Sequence, residues 1–309
     1  MSWLREVLGD YLRMRRALGY KLDGPDRLLD QFVTYLEQTG ALTVTIENAV
    51  AWATQPAGAD WGYWGARLSV VRQFARHLQT LDPSCQVPPT LLLSSRSRRA
   101  IPYPYTREEI VALMAAAAGL PSPLMAATYS TLLGLLAVSG LRLGEAIGLD
   151  RDDVDARHRL LRVIDGKFGK SREVALHDTT MSALDAYSRR RDELCPEPAS
   201  AAFLVSTTGT RLLKPNIHRT FSRLKREVGL GPRSQRCRPR LHDLRHRFAV
   251  NTLIDWYRDG VDVQARLPVL STYLGHVEPR DTYWYLSAAP ELLGLVARRL
   301  EPIIAQAAG

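Results

Sequence analysis

The chain has 309 residues, more than one compact core ordinarily organises, so two domains are expected. Apolar residues make up 46% and charged residues 24%, a globular composition that excludes wholesale disorder. The formal net charge of +9 suits a polyanionic partner such as DNA, RNA or an acidic membrane. Cys85, Cys195 and Cys237 are odd in number and show no Cys-x-x-Cys spacing. That argues against a disulfide framework or a zinc site and fits a reducing cytosol. The N-terminal residues lack the charged-then-apolar order of a signal peptide. The most apolar run, Pro121 to Gly140, carries Ser122, Thr128, Ser130 and Thr131, so it reads as a core helix rather than a membrane span.

In chain order, Leu4, Val7, Leu8, Tyr11, Leu12 and Leu18 repeat at the three-and-four spacing of an amphipathic helix. A second helix is expected over 25–38, a third from about Thr45, and a fourth around Val71, Phe74, Ala75 and Leu78. Residues 1–88 therefore form a small all-α domain. Residues 89–103 hold Pro89, Pro102 and Pro104 just beyond, without periodicity, and read as an extended linker. Its Arg96, Arg98 and Arg99 are either phosphate contacts or merely solubilising. The second domain, 104–309, opens on Thr106-Arg-Glu-Glu109, a capping box. Two short strands, 159–165 and 171–176, flank the turn Gly166-Lys-Phe-Gly-Lys170. Helices are expected over 177–191, 214–228, 241–257, 261–274, 281–286 and 290–307. The fold class is mainly α with a small β-sheet, a helical domain followed by an α+β one.

Charge is concentrated: Arg211 to Arg247 holds twelve Lys or Arg against Glu227 and Asp243, a local net of +10. Breaking a phosphodiester without a metal needs a nucleophile, a cation for the non-bridging oxygens and a proton for the leaving oxygen. Tyrosine serves the first, arginine's planar fork the second, and lysine or histidine the third. Four segments carry these types. Arg142 follows the glycine break in Ser139-Gly-Leu-Arg-Leu-Gly-Glu145, with Glu145 on the same helix face. Lys167 sits at the hairpin tip. His242 and Arg245 stand one turn apart in His242-Asp-Leu-Arg-His246. Leu274-Gly-His276 is followed nine residues later by Tyr285.

These segments resemble the tyrosine recombinase (phage integrase) family. Its boxes Gly-Leu-Arg…Glu, Gly-Lys-x-x-Lys-x-Arg, His-x-Leu-Arg-His and Leu-Gly-His…Tyr occur here in order between residues 139 and 285. The resemblance implies a core-binding domain at the N-terminus and a catalytic domain after it. It implies that Arg142 and Arg245 clamp the scissile phosphate and Lys167 protonates the leaving 5′ oxygen. His242 would help remove the tyrosine proton, His276 would hydrogen-bond the phosphate, and Glu145 would orient an arginine or histidine. Tyr285 would attack, giving a 3′-phosphotyrosine without cofactor or metal. Lys170 competes with Lys167 for the hairpin role, and Tyr283 with Tyr285, although residues two apart point about 200° apart on a helix. Lys170, Arg238 and Arg240 are further candidate DNA contacts.

The implied partners are double-stranded DNA with short inverted-repeat core sites and further copies of the chain, two on one site and four in synapsis, or sister recombinases. No membrane is implied, and the place is the cytoplasm at the nucleoid. The box departures Leu143-Gly144 and Glu278-Pro-Arg-Asp281 look more like recombinases of transposon-type elements than a housekeeping Xer protein. An accessory DNA-binding subunit that does not cut, or a type IB topoisomerase-like enzyme, are the alternatives. Leu293, Val296, Leu300, Ile303 and Ile304 form a terminal apolar stripe, which either folds back on its own domain or docks on a neighbouring copy.

Overall fold

Four amphipathic helices build the first of the two units into which the chain divides, Met1–Ala100 and Ile101–Gly309. The computed structural model describes residues 2–93, 100–164, 171–278, 280–287, 292 and 294. Helix α1 (Trp3–Ala17) begins where Ser2 Oγ accepts from the Arg5 N–H, and α2 (Asp23–Thr39) ends at Gly40 in the left-handed region. Thr45 and Asn48 form a capping box for α3 (Ile46–Thr54), and Asp60 caps α4 (Trp61–Gln79). Their apolar stripes meet in a core that includes Phe32, Leu36, Trp52, Leu68 and Phe74.

The segment read as an extended linker is held near both its ends. Val87, Leu92 and Leu93 pack against the first core. Buried Arg72 on α4 donates to the carbonyls of Pro88 at 2.8 Å and Pro89 at 2.9 Å. Proline lacks an N–H but keeps its carbonyl, and a guanidinium can hold that. At the other end Ile101 N donates to Arg236 O, and Tyr103 and Tyr105 enter the second core. Arg96, Arg98 and Arg99 lie outside the described residues.

In the second unit the Thr106–Glu109 capping box opens α5 (Arg107–Ala118) as expected. Helix α6 (Pro123–Ser139) is apolar nearly all round and forms the centre of the core, packed against α5, α8 (Asp178–Leu194) and α10 (His242–Arg258). Short α7 (Leu143–Gly148) follows α6 after the Gly140 break. A three-stranded antiparallel sheet, β1 (Val154–Asp155), β2 (Leu160–Val163) and β3 (Arg172–Ala175), pairs Leu161 with Val174. The two-residue β1 was not expected, being too short to show any alternation. Helices α9 (Lys214–Glu227), α11 (Val263–Leu274) and α12 (Arg280–Ser287) are the other helices among the described residues of the unit. A second core cluster joins α10, α11 and α12 through Leu253, Leu267, Leu270, Leu274 and Tyr285. The fold is mainly α with one small sheet. No described helix is long and apolar enough to cross a membrane. Lys167, Lys170 and the stripe from Leu293 to Ile304 lie outside the described residues.

Candidate active site

Two helices end side by side on glycines, and their last carbonyls gather the arginines. Gly140 closes α6 at φ 61° and Gly275 closes α11 at φ 67°, a region that side-chain-bearing residues enter only at a cost. Space is short as well. A Cβ on Gly140 would stand 2.5 Å from the Phe248 ring, and one on Gly275 2.8 Å from Arg172 Nη1. The carbonyls left without partners at a helix C-terminus attract cations. Arg245, reaching from α10, donates to Gly140 O and Leu274 O, each at 2.6 Å. Arg142, at the start of α7, donates to Gly275 O at 2.9 Å.

Glu145 holds the cluster together. It accepts from the backbone N–H of Arg142 at 2.8 Å and from its Nη1 at 2.7 Å. From β3, Arg172 adds a fork of two donors at 2.9 and 3.1 Å, and its Nε donates to Tyr273 O at 2.8 Å. Burial alone pushes the Glu145 carboxyl upward, but hydrogen bonds and charge from Arg172 and Arg142 outweigh it and hold the pKa at about 2. Burial lowers Arg245 to about 10, with Arg142 adding repulsion and Tyr285 opposing it. Arg245 therefore stays charged at neutral pH.

Tyr285 is buried at 4% exposure, whereas Tyr283 is 50% exposed. The helical offset of two residues thus turns one phenol inward and the other to solvent. Tyr285 accepts a hydrogen bond from Arg245 and stacks against His276 with ring centres 5.8 Å apart. His246 and Trp284 complete its surroundings at 5.1 and 5.8 Å. His276 shares a 2.7 Å hydrogen bond between Nδ1 and Thr282 Oγ1, leaving Nε2 for a substrate. Burial first, then Arg245 and Arg142, push its pKa down to about 4, so at neutral pH it is an uncharged hydrogen-bonding group.

His242, an exposed residue, opens α10. The protein packed beside its ring, then the charge of Arg245, still lower its pKa from 6.5. Kept in its neutral form, the imidazole has a ring nitrogen free to accept a proton.

The structure thus brings Arg142, Glu145, Arg245, His276 and Tyr285 together, with His242 at the edge. Arg240 forms a fork on fully buried Asp243 at 2.6 and 3.0 Å, which fixes the start of α10, and Arg238 is exposed. Arg172, His246 and Thr282 were not singled out from the sequence. Arg172 is the last residue of the Gly-Lys-x-x-Lys-x-Arg run, and that position was the available signal. Among the described residues no three His, Cys, Asp or Glu are grouped to hold a metal.

Comparison with known proteins gives a concordant result. The profile described as Phage integrase family matches residues 105–291. A Sinorhizobium fredii protein named as an integrase/recombinase, y4rB, is 45% identical over 307 residues, covering 97% of this chain and 98% of its own. Tyrosine recombinase XerC of Mycobacterium tuberculosis is 30% identical over 277 residues, covering 85% and 84%. The fold is similar to that of the Tn1549 transposon integrase in complex with transposon right end DNA (TM-score 0.65, 16% identity, 97% of this chain and 100% of that one). It is also similar to XerA recombinase (TM-score 0.52, 22% identity, 96% and 98%). Motifs, fold and relatives agree that the chain belongs to the phage integrase family, the tyrosine recombinases.

Proposed function

We propose that this chain cuts and rejoins DNA at specific sites, with Tyr285 as the nucleophile. The observation that carries the reading is the convergence of one inward-facing phenol with two guanidiniums and a neutral histidine. Arg245 and Arg142 bind the non-bridging oxygens of the scissile phosphate and stabilise the charge that grows in the pentacoordinate transition state. Tyr285 Oη attacks phosphorus, the bond to the 5′ oxygen breaks, and a 3′-phosphotyrosine forms. His242 accepts the phenolic proton, Lys167 supplies one to the departing 5′ oxygen, and His276 Nε2 hydrogen-bonds the phosphate. Attack by a 5′-hydroxyl on the phosphotyrosine reverses the step, so the ester conserves the bond. Arg245 is only 1% exposed, with Tyr285 against it. Phosphate entry therefore requires Tyr285 to turn outward first.

The first unit serves as a core-binding domain, and Arg96, Arg98, Arg99, Lys170 and Arg238 supply backbone contacts outside the site. Arg240 contributes less there, because Asp243 already holds its fork. The partner is duplex DNA with short inverted repeats, bound by two copies and paired by four at the bacterial nucleoid, in moving a mobile element. Among the similar structures, XerH is bound to a difH substrate and lambda integrase is a dimer on a core site, which supports a DNA partner and an oligomer.

The test begins by screening duplexes from either side of the chain's own gene for the segment it protects from nuclease. A nick is then placed in that segment so that cleavage traps the covalent adduct. The parent and Tyr283→Phe should form adduct, and Tyr285→Phe should bind the duplex without forming it. Adduct from Tyr285→Phe, or binding with no adduct from the parent, overturns the reading; the latter outcome favours a non-cutting accessory subunit.

A further inference from the structure

The cluster around Glu145 contains one more guanidinium than orientation of Arg142 requires. Glu145 already receives two hydrogen bonds from Arg142. Were these its only partners, one carboxylate would face one guanidinium, and the pair would carry no net charge toward a phosphate. Arg172 changes the sum, because two guanidiniums and one carboxylate leave +1. We propose that Arg172 is a positioning residue that offsets the buried charge of Glu145 from β3, so that Glu145 can orient Arg142 without cancelling the positive charge Arg142 presents to DNA. This rests on the reading of Arg142 as a phosphate clamp.

Three observations carry the inference. The side chains of Glu145 and Arg172 are 4% and 12% exposed, so water screens their interaction little and the charge balance has force. Arg172 meets Glu145 as a fork with one donor per carboxylate oxygen, the geometry that arginine supplies and lysine does not. A third donor, Nε, holds Tyr273 O, two residues before the Gly275 carbonyl that receives Arg142 Nη2. Arg172 thus holds Glu145 directly and the end of α11 two residues before Gly275, so it bears on both supports of Arg142. The charged groups facing Glu145 are Arg142 at the head of its own helix, Arg172 from β3 and Arg245 from α10. Of the three, Arg172 alone has no proposed contact with substrate.

The test uses the full chain and the nicked duplex described above. At saturating DNA, Arg172→Gln should lower the first-order rate of covalent attachment about ten- to a hundredfold, while half-saturation stays within about threefold. Arg172→Lys, which keeps the charge but not the fork, should recover part of the loss. The decisive variant combines Arg172→Gln with Glu145→Gln. With no carboxylate left to cancel Arg142, it should cleave faster than Arg172→Gln alone, whereas a merely structural ion pair predicts a double variant no faster. A double variant no faster than the single one, or an Arg172→Gln rate within about twofold of the parent, overturns the proposal. Should Arg172→Gln not fold, the carbon-13 titration of the Glu145 carboxyl in Arg172→Lys decides: the inference requires it to stay near the parent's, held by the retained charge. If the parent forms no adduct, the reading of Tyr285 fails by itself. The Arg172 inference is then judged on that titration and on an upward shift in Arg172→Gln; an unmoved carboxyl in Arg172→Gln sinks it.

Discussion

Both units bury arginines and both hold them with main-chain carbonyls, yet the two sets do different work. In the first unit Arg67 donates to Trp52 O at 2.9 Å with its guanidinium 3.7 Å from the Trp52 ring, and Arg72 grips Pro88 and Pro89. Each stands as a brace between segments. In the second unit Arg245 and Arg142 hang from the carbonyls of Gly140, Leu274 and Gly275 and repel one another. The acceptor type is alike, and Arg245 is buried as Arg67 and Arg72 are. What differs is company: the phenol of Tyr285 and the neutral His276 stand with Arg142 around Arg245. Like charges held together cost stability, and here main-chain carbonyls and one carboxylate keep them in place. A buried arginine braced on carbonyls is a strut; the propped pair beside a phenol and a neutral histidine is the one proposed to hold a phosphate.

Substituting one arginine of each kind separates their roles. Arg245→Gln should lower the rate of covalent attachment at saturating DNA by about 10²–10³, with the helical circular dichroism retained. Arg72→Gln should leave that rate almost unchanged per bound complex and instead lower the thermal midpoint, because the proline carbonyls lose their donor at about 1–3 kcal/mol. A large rate loss from Arg72→Gln would erase the distinction.

Next in size is the prop itself. Gly140→Ala places a methyl against Phe248 at positive φ and should cost about 1–3 kcal/mol in denaturant unfolding. The rate should fall as well, since the Gly140 carbonyl shifts from Arg245. Full stability and rate in this variant would mean the turn is not what aims the guanidinium.

Smaller is the response to acid. His276 has its pKa lowered from 6.5 to about 4, so below pH 6.5 the unfolded chain binds a proton that the native site refuses. Stability should therefore fall as pH drops from 6.5 toward 4, and His242, shifted in the same direction, adds to the fall. Thermal midpoints of His276→Gln should decline less steeply across that window, and an equal slope would remove His276 from the account. Glu145 acts lower: its stabilising contribution is present above its ordinary 4.5 and is lost as pH falls toward about 2.

The smallest expected effect is none. Two guanidiniums supply the charge that a metal ion would otherwise bring, so attachment should proceed unchanged in EDTA. Loss on chelation with recovery in magnesium would count against the arginine pair.

Much of this arrangement was legible beforehand, for identifiable reasons. Many helices carry side-chain caps and apolar stripes, so Thr106–Glu109 marks the start of α5 in the sequence. The residues of the site could be read because each stands in a short local pattern: a glycine break before Arg142, one helical turn between His242 and Arg245, nine residues from His276 to Tyr285. Arg172 escaped because its partner, Glu145, is 27 residues away, and no local period reports a long-range ion pair. Arg240 was read as a candidate DNA contact, and no local pattern announced that fully buried Asp243 holds its fork. The hold of Arg72 on two prolines was hidden too, since proline-rich composition speaks of missing donors and says nothing of carbonyls waiting for one.

The carbonyls of Gly140, Leu274 and Gly275 have one further consequence, for how such a chain decays over generations. No codon change removes a main-chain oxygen, so the anchorage of both guanidiniums survives most neighbouring substitutions. The genetic targets that disarm the site shrink to the charged and phenolic side chains and the two glycines whose turns aim the oxygens. A lineage released from selection for cutting should accumulate changes there without losing its helices. Descendants that still grip DNA but no longer sever it are therefore a short mutational step away.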